Sequence, residues 1–551
     1  MKKYLFPTIV VCTLVIGLAL GYAVSVRAQS HRVIISNGSV YMQPDKLDQL
    51  LMLLEQGYVE PINMDSLTEE VMAEVVQKLD PHSAYIPKED LEMVNSELAA
   101  SFSGIGVQFH IESDTVTVVA VVSGGPSEGV GVLAGDKIVE VNDTAFTGKK
   151  INNEKVMHTL RGEKGTQVKL GIHRAGTDEL LHFTITRGDI PTYSVDAKFI
   201  IEPKAESRMS KAESGKSKEK IGFVRVNKFG ENTYKEFMQS LTYLRQQGAT
   251  AYIIDLRENS GGFMNEAIEM ANEFLDRGDL IVYAQGRAYP RMESRATGGG
   301  RFKNDKIVVL IDDFSASASE IFAGAMQDND RATIIGRRSF GKGLVQQQIP
   351  FDDGSALRLT VARYYIPSGR CIQKPYRMGD KGDYEMELLN RMEHGEFFSA
   401  DSIHMIDTTR YYTKQGRVVY GGGGIMPDIF VGRDTTRYSR YFNRVANRAY
   451  TYQFAFHYVN QHRAELSRFK TWQSLENELK RRNWLDEFVQ FCKNKGVEPV
   501  QEDIELSRPL IERIVNAYMV RNLLGEEGFF PLFERDDDIT RRAVEYLTNG
   551  K

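Results

Sequence analysis

The sequence predicts a multidomain α/β protein with four parts: an N-terminal helical segment, a β-rich domain, an α/β core and an α-helical C-terminal extension. Three changes of pattern carry that expectation. Apolar residues recur at three- and four-residue steps up to about residue 98, at two-residue steps from about 102 to 187, and beyond 220 as short apolar strands alternating with helix-length stretches. A chain of 551 residues allows about three to five domains. With 42% hydrophobic residues before its 47 glycines are counted, it has the composition of a globular protein, not of a disordered or collagen-like one. A net charge of −5 offers no general attraction to nucleic acid or anionic lipid.

In chain order, Lys2 and Lys3 precede an apolar run from Leu5 to Val26, and Val26-Arg27-Ala28 reads as a cleavage signal. Residues 1–30 are therefore an export segment. Their length leaves a removed signal peptide and a retained membrane anchor both open, with the remainder of the chain outside the cytoplasm. Leu47, Leu50, Leu51, Leu54, Leu67, Val71, Val75 and Leu79 give residues 42–98 a helical period. Within that domain Pro81 and Pro87 break the helix, and Asp80 or Ser83 is placed to cap the next one.

Residues 99–190 read as five short strands with glycine turns and one helical patch from Asn153 to Leu160. Gly104, Ile105, Gly106 and Val107 open the first core strand, where successive N–H groups freed by the glycines suit a peptide carboxylate and the strand edge suits its main chain. Taken alone, Gly104-Ile105-Gly106 reads as a plain turn. The whole module, through Ala134-Gly135-Asp136-Lys137-Ile138, resembles a PDZ domain.

Residues 191–435 alternate strand and helix, interrupted at 202–220 by a Lys/Ser/Glu-rich loop expected to be mobile. Residues 436–551 read as a helical extension expected to pack on the core or on a second subunit. Of three cysteines, Cys12 lies in the apolar run, and Cys371 and Cys492 are expected to be inert thiols.

No histidine occurs between His182 and His394, so the α/β core can build neither a Ser-His-Asp triad nor a His-ligated zinc site from its own residues. It does contain Asp313-Phe-Ser-Ala-Ser-Ala-Ser-Glu320 between a strand and a helix. A serine there sits beside helix N-terminal N–H groups, although Ser317-x-x-Glu320 is also a capping box and on this octapeptide alone capping outranks catalysis. Ser339-Phe-Gly-Lys-Gly-Leu-Val-Gln346 follows. Period two would put Lys342 and Gln346 on one strand face, where the amide could orient the amine; a lysine flanked by glycines is usually a solvated loop residue, and it becomes a general base only if burial disfavours its charged form.

With Leu79-Asp-Pro-His-Ser-Ala-Tyr85, Asp255-Leu-Arg-Glu-Asn-Ser-Gly-Gly262, Tyr365-Ile-Pro-Ser-Gly-Arg370 and Gly424-Ile-Met-Pro-Asp428, these motifs resemble the carboxyl-terminal processing peptidases from about Lys46 to Val431. That family comprises exported serine endopeptidases with a PDZ-like β-rich domain inserted in an α/β protease core. The resemblance implies Ser317 as nucleophile, Lys342 as base and Gln346 as the residue that positions it, with an oxyanion hole from Ala318 and Gly261 or Gly262. It also implies that Gly104, Ile105, Gly106 and Val107 bind the carboxyl-terminal tails of protein substrates, and that neither metal nor other cofactor is needed. Expected partners are protein or peptide tails and not nucleic acid, with a periplasmic, envelope location, anchoring through residues 5–26 left open, and a homodimer suggested by family habit and the amphipathic terminal helices. This chain has Asn259-Ser-Gly-Gly262 where the family often has Asn-Pro-Gly-Gly, and Ser339 where Thr is common; neither change removes a reacting group. The rivals are a non-catalytic envelope adaptor on a protease-like core and a small-ester or lipid hydrolase using the same pair.

Overall fold

The computed structural model describes residues 33–36, 39–42, 46–112, 114–122, 124–174, 177, 179–203, 220–405 and 407–549. The expected export segment and most of the Lys/Ser-rich loop lie outside them. Among the described residues no helix is long and apolar enough to cross a membrane.

The chain divides into two units, Met1–Gln77 and Lys78–Lys551. In the first, β1 (Val33–Ser36) and β2 (Ser39–Met42) pair antiparallel, followed by helices α1 (Lys46–Gly57) and α2 (Met64–Gln77). The second unit opens with the loop Leu79–Ser83. Here Asp80 caps its own turn and not the next helix: its carboxylate accepts from the His82 and Ser83 N–H groups at 3.0 and 3.1 Å and from Ser83 Oγ at 2.5 Å. Strand β3 (Ala84–Ile86) and helix α3 (Lys88–Ser96), which has no side-chain cap, come next.

Strand β4 (Ser101–Gly104) and the later β11 (Gly188–Pro191) pair as a neck around the β-rich domain. Between them β5 (Val107–Glu112), β6 (Thr115–Val121), α4 (Pro126–Val130), β7 (Lys137–Val141), β8 (Thr144–Ala145), α5 (Asn153–Leu160), β9 (Gln167–His173) and β10 (Leu181–Thr186) form a sheet ordered β10-β9-β7-β6-β5. The two-residue period works as it must: Val168, Leu170 and Ile172 are fully buried while Gln167, Lys169 and His173 face out. Strands β5 and β10 are the two edges.

In the core, β12 (Val195–Ile201) lies antiparallel beside β13 (Lys220–Val226). Then α6 (Thr233–Gln246), β14 (Ala249–Asp255), α7 (Met264–Asn272), β15 (Leu280–Gln285), β16 (Met292–Arg295), β17 (Lys306–Ile311), α8 (Ala318–Asp328), β18 (Thr333–Gly336), β19 (Leu344–Pro350), β20 (Ala356–Tyr365), α9 (Lys381–Glu393), β21 (Arg410–Tyr412), β22 (Val418–Tyr420) and β23 (Ile429–Phe430) follow. The main sheet runs β12-β13-β14-β17-β18-β23, parallel from β13 onward, and a smaller antiparallel sheet β16-β15-β20-β19 takes β3 as an added strand. Parallel strands need both faces covered. Phe237, Met270 and Phe322 of α6, α7 and α8 cover one.

The extension supplies the other face. It comprises α10 (Arg440–Asn447), α11 (Tyr450–Gln461), α12 (Arg463–Leu466), α13 (Trp472–Leu479), α14 (Trp484–Asn494), α15 (Gln501–Phe533, kinked at Gly525) and α16 (Asp538–Asn549). Ile539, Ala543 and Leu547 of α16 pack against Phe223, Ile253, Val308 and Leu310 of the sheet. Helices α10 to α15 form their own aromatic core, which reaches Ala197 and Phe199 of β12. Leu547→Ala, removing a side chain 4% exposed, should lower the urea-unfolding free energy by about 2–4 kcal/mol. Cys371 and Cys492 are free thiols; burial raises the first and pushes the second up to about 12.

Candidate active site

Strand β17 ends at Ile311 and α8 starts at Ala318, so the turn between them sits at the carboxyl edge of the parallel sheet, where open α/β folds present their sites. Ser317 closes that turn at φ 56°, ψ −113°. Such a conformation in a residue with a Cβ costs roughly 1–3 kcal/mol and survives only where its surroundings over-determine it. They do so here. The Ala316 N–H donates to Asn259 O at 3.0 Å, Ser315 Oγ to Leu256 O at 2.8 Å and Ser319 Oγ to Asn259 O at 2.9 Å. The expected capping box is present, with the Ser317 N–H donating to Glu320 Oε2 at 2.8 Å.

Glu320 does more than cap. Its second oxygen accepts from Ser339 Oγ at 2.5 Å and the Gly341 N–H at 2.7 Å, while the Lys342 N–H joins Ser317 on Oε2, also at 2.8 Å. One fully buried carboxylate thus ties the backbone of Ser317 to that of Lys342. Burial pushes it up to about 7 against the pull of those four donors. On the opposite side the Tyr364 hydroxyl lies within hydrogen-bond reach of the carbonyl oxygens of both Ser317, at 3.1 Å, and Lys342. The two loops are clamped through their N–H groups by an acid and through their carbonyls by a phenol.

Burial lowers the Lys342 amine below its ordinary value, the Arg358 charge adds to this, and Glu320 and Asp80 oppose it. Lys342 precedes β19, which begins at Leu344, so the strand's alternation does not by itself place Lys342 and Gln346. The register shift beside Val345 and Gln346 lies on the partner strand, where Val361 of β20 is the extra residue. The Gln346 Nε2 donates to Thr360 Oγ1 at 3.3 Å, and among the described residues no hydrogen bond joins the Lys342 amine to Gln346 or to Ser317 Oγ. Thr360 in turn donates to Asp80 Oδ1 at 2.8 Å and its N–H to Ser83 Oγ at 3.0 Å. The loop around His82 is thereby docked behind the lysine. Burial and then the Lys342 charge push His82 down to about 4, and its Nε2 lies 2.9 Å from the Tyr384 hydroxyl. In the sequence His82 stands out only as part of the Leu79–Tyr85 motif, and nothing local marks Tyr364 or Tyr384.

The paired glycines differ. Gly261 N–H donates to Asn259 Oδ1 at 2.9 Å. Gly262 bridges Phe229, whose N–H donates to Gly261 O and whose carbonyl accepts from the Phe263 N–H; in a parallel bridge this turns the Gly262 N–H to the opposite side. Both need glycine: a Cβ on Gly261 (φ 101°) would stand 2.7 Å from Ser317 Cβ and 2.9 Å from the Ala318 nitrogen, and one on Gly262 would stand 2.2 Å from Phe229 O. Phe263, directly after them, lines a cleft of about 850 Å³ together with Phe102, Ser103, Met157 and Arg161. Ser103 is the residue before Gly104. In the Gly104–Val107 turn, Ile105 O accepts from the Ser127 N–H and Oγ at 3.0 and 2.6 Å, and Gly106 O from the Val122 N–H at 2.9 Å.

An alcohol held in strained backbone at a helix N-terminus, its backbone tied through one carboxylate to that of a lysine whose charged form burial disfavours, is an arrangement suited to acyl transfer. Residues 220–386 match peptidase family S41, residues 103–185 a PDZ domain, and residues 441–525 a family of unknown function. The carboxy-terminal-processing protease of Bartonella bacilliformis is 33% identical over 365 residues, covering 65% of this chain and 79% of that protein. The chain belongs to the carboxy-terminal processing protease family. Two further family members, the carboxy-terminal processing proteases CtpA and CtpB of Bacillus subtilis, are 32% identical over 331 residues (60% of this chain, 66% of that protein) and 28% over 402 residues (72% and 78%). Among solved structures the photosystem II D1 C-terminal processing protease aligns at 26% identity with a TM-score of 0.39, over 71% of this chain and 87% of that one. As a carboxy-terminal processing protease the chain is a serine-type peptidase with a PDZ domain.

Proposed function

We propose that this carboxy-terminal processing protease is an exported endopeptidase that captures a protein substrate by its carboxyl-terminal tail at Gly104–Val107 and cuts it with the Ser317/Lys342 pair. The observation that carries the reading is the shared Glu320 oxygen, which holds the Ser317 and Lys342 backbones a hydrogen bond each from one atom. In the proposed cycle Ser317 Oγ attacks the scissile carbonyl while the neutral Lys342 amine takes its proton. The resulting ammonium gives that proton to the leaving amine, and water repeats the sequence on the acyl-enzyme. With the Gly261 N–H held by Asn259, the oxyanion falls to the N–H groups of Ala318 and Gly262, and Gly261 serves by allowing close approach. Gln346, its amide nitrogen on Thr360, keeps its carbonyl oxygen for the amine.

Tail capture is supported by two features: β5 is an edge strand able to pair with an added chain, and the carbonyls of the adjoining turn are engaged inward by Ser127 and Val122. The cleft that runs from Ser103 to Phe263 gives the captured chain a path toward the glycines. The periplasmic location, the anchor through residues 5–26 and the homodimer rest on the sequence reading. Substrates identical except for their last three residues test the whole scheme. Amidating the terminal carboxylate or making the tail polar should raise KM at least tenfold with kcat within twofold, and a fluorophosphonate should label Ser317. Equal KM for all tails would refute tail capture, and labelling elsewhere would refute the assignment of Ser317.

A further inference from the structure

We infer that Glu534 and Asp537, near the end of the C-terminal extension, are positioning residues for the loop that presents the Gly262 N–H: through Arg257 they hold residues 256–262 in place beside Ser317. The inference rests on the reading above and extends it to a part of the chain that lies beyond the S41 match.

The loop begins at Asp255, the last residue of β14 and fully buried. Arg257 folds back over it, its N–H and Nε donating to Asp255 Oδ1 at 3.0 and 2.8 Å and its Nη2 to Oδ2 at 2.8 Å. The rest of the guanidinium faces the extension: Nη2 donates to Glu534 Oε2 at 2.6 Å and Nη1 to Asp537 Oδ1 at 2.7 Å. Arg225 of β13 completes the cluster, reaching Asp255 at 2.9 Å, Glu258 at 2.7 Å and Glu534 at 3.7 Å. The acids are themselves fixed, since Thr540 Oγ1 donates to Glu534 Oε2 and the Thr540 N–H to Asp537 Oδ1, both at 2.8 Å, at the first turn of α16. A planar fork holding several carboxylates at once sets orientation as well as distance.

The other end of the loop is the candidate oxyanion site. Glu258 follows Arg257 at φ 61°, its N–H on Asp312 Oδ1 at 2.9 Å, and Asn259 then binds the Ala316 N–H, Ser319 Oγ and the Gly261 N–H. A rotation at Arg257 therefore carries through a strained residue and a connecting asparagine to Gly262. Misplacing a transition-state donor by about 1 Å can cost roughly a hundredfold in rate while leaving ground-state binding intact.

The test uses the purified protein lacking residues 1–30 and a cleavable peptide, comparing wild type with Glu534→Gln, Asp537→Asn and the pair. The double variant should lose about 10–100-fold in kcat with KM within twofold, and a peptide boronate should lose affinity in step with kcat/KM. Leu547→Ala, which destabilises the same extension without touching Arg257, should keep kcat within twofold at a comparable fall in the urea midpoint. Unchanged kcat in the double variant, or an equal loss in Leu547→Ala, overturns the inference. Should the double variant fail to fold, Asp537→Asn, at a side chain 30% exposed, carries the same comparison. A wild-type protein that neither cleaves nor labels at Ser317 would instead sink the peptidase assignment.

Discussion

Ser317→Ala and Lys342→Ala should each reduce kcat/KM by about 10⁴–10⁶-fold, and the double variant should be no worse than the poorer single one. Groups that act as one unit are strongly non-additive, because once the proton acceptor or the alcohol is gone the partner has nothing left to do. What remains is the contribution of the N–H donors and of substrate binding. The pH dependence follows from the lysine. Only the neutral amine can accept the Ser317 proton, and burial lowers its pKa from the usual 10.5, so kcat/KM should rise with pH along a one-proton limb whose midpoint falls below 10.5. His82 reports on the same site independently of turnover. The Lys342 charge is, after burial, the main cause holding it near 4, so in Lys342→Ala the His82 titration followed by NMR should move upward. A His82 resonance that ignores the substitution would place the amine elsewhere.

Glu320→Gln should reduce kcat by about 10²–10³-fold although the residue meets no substrate. A carboxylate can accept at both oxygens, whereas the amide must present an NH₂ either to the Ser317 and Lys342 N–H groups or to Ser339 and Gly341. Either choice puts donor against donor in a buried site and shifts loop backbones that catalysis needs in register. Stability separates this from simple unfolding. The folded-state pKa is raised from 4.5 to about 7, so the neutral form is favoured by folding. Its contribution is complete below pH 4.5 and is lost as pH rises through 7. From this group alone the unfolding free energy should fall by about 3 kcal/mol between pH 4 and pH 8, by the usual linkage of 1.36 kcal/mol per unit. His82, held near 4, contributes the opposite slope between pH 4 and 6.5, so the Glu320 component is read as the difference between wild type and Glu320→Gln in urea titrations across the range. An identical pH dependence in the two proteins would mean that the carboxylate stays ionised throughout.

Legibility in the sequence was uneven, and the residues show why. The two-residue alternation of Gln167 to His173 and the strand–helix alternation of the core are local patterns, and the fold class follows from them. Ser317-x-x-Glu320 was readable as a capping box, but only the chain's path brings Gly341 and Lys342 onto the same carboxylate. The expected Lys342–Gln346 face carries a strand period back to a residue that precedes β19, and where that strand begins is decided by its pairing with β20. The sequence leaves the extension to pack on the core or on a second subunit, and α16 covers the second face of the parallel sheet, because buried parallel strands leave no face to solvent.

Hydrophobic spacing and short motifs are properties of neighbours along the chain, so they suffice to name the elements and the family and to single out Ser317 and Lys342 as candidates. Which groups surround that pair is a matter of strand pairing and packing between distant segments. The docking of the His82 loop on Thr360, the bridging hydroxyl of Tyr364, the turning of the Gly262 N–H away from Phe229 and the grip of Glu534 and Asp537 on Arg257 all join segments with no local correlation between them. Side-chain polarity alone cannot encode those meetings, because each depends on burying apolar surface elsewhere in the fold.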